Sequence, residues 1–118
     1  MNELQAVFHI DELPKWELTL GNVQNLITDI GTKKHHIEIV ANAAAVTLFT
    51  APTNEVAAKL LQKMNDLIKQ EVKISFCKNA LLANDVQKET LPVFITIVPA
   101  GITRLILLQE KGYCYIKP

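Results

Sequence analysis

Runs rich in β-branched and aromatic residues alternate with stretches of helical period along almost the whole chain. Residues 5–10 (QAVFHI), 36–41 (HIEIVA), 73–77 (KISFC), 93–98 (VFITIV) and 113–116 read as strands. After the first of them, Leu13, Trp16, Leu20, Val23, Ile27 and Ile30 recur at steps of three and four, the apolar stripe of one helix. Asp11 stands where a cap is wanted, Pro14 falls in the first turn, where a missing N–H costs little, and Gly31 is a good terminator. A short helical piece is expected over 43–49, with Asn42 placed to cap it. A second long helix is expected to begin at Asn54. Its buried face is Val56, Leu60, Met64 and Leu67, interleaved with Ala57, Leu61 and Ile68, while Lys59, Lys63, Asp66 and Lys69 lie on the solvated side. Lys78–Ala83 reads as a short helix, 84–92 as a polar loop, and 102–111 as the last helix, stopped by Gly112. The fourth strand is apolar throughout, the pattern of a strand covered on both faces. Parallel neighbours need long crossovers, so strand and helix alternating in this way predicts a parallel sheet with helices on both faces.

The length of 118 residues is that of one domain, 1–118. Such a chain buries about two-thirds of its unfolded surface, enough for a core without metal or disulfide staples. An apolar fraction of 49% with 20% charged residues excludes disorder. The 12 basic and 12 acidic residues cancel, which argues against a nucleic-acid partner held by phosphate neutralisation and favours self-association. No basic residue precedes Lys15, so no signal peptide is expected. The longest uncharged stretch, 39–54, contains Asn42, Thr47, Thr50, Pro52 and Thr53 and cannot span a bilayer. Two cysteines make no disulfide framework, and a cytoplasmic protein with reduced thiols is the simplest expectation.

Several chemistries lack their residues. Ser75 is the only serine and lies inside a strand, with no G-x-S-x-G around it. Gly21, Gly31, Gly101 and Gly112 form neither a dinucleotide fingerprint nor a phosphate loop. Cys77 is followed by Lys78, Asn79 and Ala80, so there is no C-x-x-C, and the clamp arginine of a cysteine phosphatase is replaced by Ala83. Arg104 is the only arginine. His35 and His36 are adjacent on an extended segment, point to opposite faces and cannot chelate together, so no metal site is expected.

What remains is the edge of the sheet. In open parallel sheets ligands gather outside the carboxyl ends of the strands. Those ends are His9, Ile10 and Asp11; Ala41 and Asn42; Cys77, Lys78 and Asn79; Pro99, Ala100 and Gly101. Cys77 is the one nucleophile among them. It stands where a strand passes into a helix, where N–H groups and Lys78 favour the thiolate. Its other reading is a small buried apolar residue, as many free cysteines are. Asn79 is a further donor. His9 is either a base or donor near Cys77 or a satisfied histidine at a strand end. Asp11 reads as a cap rather than an acid. Pro99 and Gly101 suit a turn that brings backbone close to a neighbour. Trp16 fits the buried stripe. Cys114, with Tyr113 and Tyr115, reads as structural, in the core or a subunit interface.

In VFHIDELPKWELTLGNVQNL, IEIVAN, FCKNAL and VPAGITRLILLQEKGYCYIKP the chain resembles the single-domain members of the DsrE/DsrF-like family of small sulfur-relay proteins. The order and spacing of these segments are similar over nearly the whole length. The resemblance implies a three-layer α/β/α fold with a five-stranded, mostly parallel sheet. It implies homo-oligomers, commonly trimers or hexamers. It also implies that the cysteine after the third strand, Cys77 here, carries a persulfide in sulfur transfer. His9, Asn42, Asn79, Pro99 and Gly101 match residues flanking the family's pocket. Ala80 stands where related sequences often have a hydroxyl residue, and Cys114 where a small apolar residue is more usual.

The first functional expectation is therefore a persulfide relay through Cys77, with Lys78 and the helix N-terminus holding the thiolate and no metal or organic cofactor required. Its partners would be a sulfur donor and an acceptor protein, with no nucleic acid and no membrane. A second is a non-enzymatic module that holds a small anionic or nucleotide-like ligand at helix N-termini. A third is a scaffold subunit of a larger complex.

Overall fold

The computed structural model describes residues 3–50 and 55–118. β1 (Glu3–Ile10) leads through a 3₁₀ turn (Leu13–Lys15) into α1 (Trp16–Ile30), and β2 (Lys34–Ala41) through a second (Ala43–Thr47) toward α2 (Glu55–Lys69). β3 (Val72–Cys77) runs directly into α3 (Lys78–Ala83); then come β4 (Thr96–Val98), α4 (Gly101–Glu110) and β5 (Cys114–Ile116). The strand order is β4-β3-β2-β1-β5, and every pairing is parallel. The expected α/β architecture is thus present, with the five strands wholly parallel.

The sheet alternation sorts its residues between two cores. Ala6, Phe8, Ile10, Ile37, Ile39, Val72, Ile74 and Phe76 face the α1–α2 layer, where Trp16, Leu20, Val23, Leu60, Met64 and Leu67 close over them. Burying each such large side chain stabilises the fold by about 1.5–3 kcal/mol. Trp16 is completely buried, and its Nε1–H donates to the Ala45 carbonyl at 2.8 Å, so the indole carries no unsatisfied donor inside. The other face has a smaller core: Val7 and Val40 packed against Leu105 and Leu108 of α4, with Tyr113 at the rim. Gly112, at φ +97°, turns the chain out of α4 and into β5, a conformation that disfavours other residues.

Three local expectations are corrected, and a fourth falls outside the described residues. Asp11 does not cap α1, because the 3₁₀ turn carrying Pro14 intervenes and the helix starts only at Trp16; neither Glu12 nor Lys15 supplies a side-chain cap. Asn54, the expected start of α2, lies outside the described residues. Val56 is exposed rather than buried, since the packed stripe of α2 begins one turn later at Leu60. The run 93–98 is not a doubly covered strand. The Ile95 N–H donates to the Pro92 carbonyl at 3.1 Å, closing a turn that keeps its first half out of the ladder. What remains of it, β4, is an edge strand, with Val93 wholly exposed before it. The apolar pattern there has another cause: Phe94 and Ile95 pack from the turn against the larger core. Among the described residues no helix is long and apolar enough to cross a membrane.

Candidate functional site

A wholly parallel sheet brings the carboxyl ends of its strands to one edge, and three segments meet there around Cys77. The first is β3 itself. Cys77 is its last residue and the N-cap of α3, with extended backbone (φ −75°, ψ 120°). Its Sγ accepts the Ala80 N–H at 3.4 Å, the role a serine or aspartate oxygen has at other helix starts. Cys77 is buried, at 6% exposure. The second segment is the start of α4. A Cβ on Gly101 would lie 3.2 Å from the Cβ of Cys77 and 3.2 Å from that of Asn42. This is close approach, not unusual backbone, and it is what requires glycine there. The third is the end of β2, where Asn42 stands.

Asn42 does not cap the turn that follows it. Its Oδ1 accepts from His9 Nε2 at 2.9 Å, and its backbone N–H donates to the Ile10 carbonyl at 3.0 Å. An amide oxygen cannot donate, so Nε2 carries the hydrogen. In the tautomer with its one hydrogen on Nε2, Nδ1 accepts from the Tyr115 hydroxyl, 2.6 Å away. His9 is therefore a connected histidine one strand removed from Cys77, since β2 lies between β1 and β3. It meets the site through Asn42.

The other strand-end residues are dispersed. Asp11 Oδ1 accepts from Lys117 Nζ at 2.8 Å. That hydrogen bond holds the Asp11 carboxyl below its ordinary range and the Lys117 ammonium above its own. Lys78 and Asn79 are exposed in the first turn of α3, and the hydrogen bond to the sulfur comes from the Ala80 backbone, not from Asn79. Lys78 and Pro99 line a cleft of about 580 Å³ with Leu81, Val86, Lys88 and Ile97. Cys77 is not part of its wall. His35 and His36 diverge, to the Gln70 carbonyl and to Glu3.

Cys114 is exposed on this chain and so is not part of its core. β5 is the other edge strand, and its side chain opens into a groove of about 660 Å³ floored by Leu4, Ala6, Phe8 and Ile116. It sits on the α1 side of the sheet, whereas Cys77 faces α4, with β2 and β1 between their strands. Both thiols are free.

One cluster beside the site escaped the sequence reading. Glu38 of β2 is buried, and both its oxygens are held by Arg104 of α4, Nε to Oε2 at 2.8 Å and Nη2 to Oε1 at 2.7 Å. Ser75 Oγ donates to Oε2 at 2.9 Å. Donating to Glu38 holds the Arg104 guanidinium above its ordinary range. The available signal was a carboxylate inside an apolar strand (HIEIVA) and a lone hydroxyl inside another (KISFC).

Residues 17–118 match the DsrE/DsrF-like family. The structure of MTH1491, a protein of unknown function from Methanobacterium thermoautotrophicum, superposes with a TM-score of 0.82 at 28% identity, covering 98% of this chain and 99% of that one. That of the ychN protein from E. coli superposes with a TM-score of 0.70 over 98% of this chain and 100% of its own. At 13% identity this second likeness is one of fold. No curated protein matches the chain.

Proposed function

Since the chain belongs to the DsrE/DsrF-like family, we propose that it relays sulfur, carrying it as a persulfide on Cys77. The observation that supports this reading is the placement of that thiol. It caps a helix with an N–H on its sulfur, at the junction of three segments, where the backbone of Gly101 approaches it closely.

The chemistry is two nucleophilic displacements at sulfur. The Cys77 thiolate attacks the outer sulfur of a sulfane donor R–S–SH. The donor S–S bond breaks, R–S⁻ leaves, and Cys77–S–SH forms. A thiolate of the acceptor protein then attacks the outer sulfur, takes it as its own persulfide, and releases the Cys77 thiolate. Nothing is oxidised or reduced overall, and neither metal nor organic cofactor is needed. In this reading the Ala80 N–H bears part of the charge on Cys77 in both resting and leaving states. Lys78 adds positive charge at the mouth, Asn42 and His9 form one wall, and the backbone of Gly101 forms another.

The test is intact-protein mass spectrometry after incubation with inorganic polysulfide. Mass gained in sulfur-atom steps by the wild type, reversed by reductant, retained in Cys114→Ser and lost in Cys77→Ser, is the expected result. Loading that survives Cys77→Ser would sink the mechanism.

The cleft beside Lys78 and Lys88 favours one other reading, a module that binds a small anion or nucleotide-like ligand with a quiet Cys77. Absence of loading together with saturable binding of such a ligand selects it. Under either reading we propose self-association, into a trimer or hexamer, through α4, whose outer face exposes Ile102, Ile106 and Leu107.

A further inference from the structure

The relay leaves the Glu38–Ser75–Arg104 cluster without a task. Among the described residues Glu38 is the one buried carboxylate. Its three hydrogen bonds satisfy it, but a satisfied buried ion pair is often no more stabilising than apolar side chains of the same volume. Stability alone therefore gives little reason for it, and its geometry gives a better one.

Ser75 lies two residues before Cys77 on β3, and so on the same face of the sheet. Arg104 lies one turn after Gly101 on α4, and its N–H donates to the Ala100 carbonyl at 3.1 Å, inside that first turn. Glu38 joins the two. Beyond the close approach of Gly101 to Cys77 and Asn42, α4 meets the sheet through Leu105 and Leu108 on Val7 and Val40, a small patch of non-directional contact. A guanidinium fork on a carboxylate is planar, bidentate and directional. It fixes where α4 begins relative to where β3 ends, and that is the place where Gly101 meets Cys77.

We propose that Arg104 is a positioning residue. Through its fork on Glu38, braced by Ser75, it holds the first turn of α4 over the Cys77 thiol and so sets access to that sulfur. The proposal rests on the relay reading for its purpose but not for its geometry.

The test uses the two thiols of one molecule. Native protein is alkylated with iodoacetamide, and the rates at Cys77 and Cys114 are read separately by peptide mass spectrometry. Cys114, exposed on the far edge strand, is the internal control. In the double variant Glu38→Gln with Arg104→Met both charges go and the volumes stay. Cys77 should then react on the order of tenfold faster, a typical size for coupling between packed neighbours, with the Cys114 rate unchanged. Arg104→Lys, which keeps the charge but not the fork, should fall between. Ser75→Ala, which removes only the brace, should shift the Cys77 rate in the same direction by less, and it keeps the test open if the double variant does not fold. Unchanged Cys77 rates in these variants, or equal acceleration at both cysteines, overturn the proposal. Wild type that fails to load polysulfide while its Cys77 rate still responds to Arg104 sinks the relay and leaves the positioning standing. Loading with an unresponsive Cys77 rate does the reverse.

Discussion

Gly101 and Cys77 are packed so that a Cβ on the glycine would stand 3.7 Å from the cysteine sulfur and 3.2 Å from its Cβ. The second distance is tighter than ordinary contact, and the carbon it meets belongs to the last residue of a central part of the sheet. Gly101→Ala must therefore push back either α4 or the Cys77 side chain. Overpacking of this kind costs about 1–3 kcal/mol, against which the better helix propensity of alanine returns less than about 1 kcal/mol. The expected outcome is a net loss of stability in urea unfolding and slower polysulfide loading of Cys77. Wild-type values of both would show that the junction has slack.

The His9 ring is held from both sides, by the Tyr115 hydroxyl at 2.6 Å and by Asn42 Oδ1 at 2.9 Å. Removing one partner removes one hydrogen bond and leaves a ring nitrogen to find water. Tyr115 is 40% exposed, so water reaches that end easily and Tyr115→Phe should cost only about 0.5–1.5 kcal/mol. Asn42→Leu faces the Nε2 hydrogen with an apolar group and should cost more, about 1–3 kcal/mol. Chemical denaturation of the two variants checks the order, and equal small losses would show that His9 is not held by this network.

The ion pair between Asp11 and Lys117 makes a prediction of pH dependence. The Asp11 carboxyl lies below its ordinary value of 3.8, so its contribution is present above that value and is lost as pH falls through the lower folded one. The Lys117 ammonium lies above its ordinary value of 10.5, so its contribution is present below that value and is lost as pH rises through the higher folded one. Between the two limits the pair acts at constant strength, weakened by salt because both side chains are well exposed. The difference in urea midpoint between wild type and Asp11→Asn should thus be flat around neutrality and vanish in strong acid. A difference that grows on acidification contradicts the pairing.

The parts of this molecule governed by local periodicity were legible in the sequence, and those governed by strand order were not. The stripe Trp16–Leu20–Val23 and the bounds of α3 follow from spacing and flanking residues. The strand-end residues His9, Asn42, Cys77 and Gly101 could be assigned to one edge because parallel strands share a direction. Which of them touch depends on β2 lying between β1 and β3, and periodicity carries no such information. The same holds for Glu38 and Arg104, which are 66 residues apart and meet only because α4 crosses back over β2. Position at the ends of the sheet explains the errors in the strands: Val93 lies in the turn before edge strand β4, and Cys114 lies on edge strand β5 with one neighbour, so both are left in the open. Asp11 was misread because a capping residue and a salt-bridge partner look alike until the far terminus is folded beside it.

The outer face of α4 carries the last prediction. Leu105 and Leu108 point into the sheet, yet Ile102, Ile106 and Leu107 are 57%, 53% and 44% exposed on the same helix. A helix apolar on its outer as well as its inner side is the pattern of one buried twice, once by its own sheet and once by a neighbour. With a formal net charge of zero, no long-range repulsion opposes that contact. The expected result is a multimeric mass for the wild type by light scattering at micromolar concentration. Ile106→Glu should lower that mass without disturbing the monomer, since substitutions at exposed positions usually change stability by no more than about 0.5 kcal/mol. A wild type that is monomeric at that concentration would refute the prediction. A variant that keeps the full multimeric mass would move the interface off this face of α4 and away from the helix whose first turn covers Cys77.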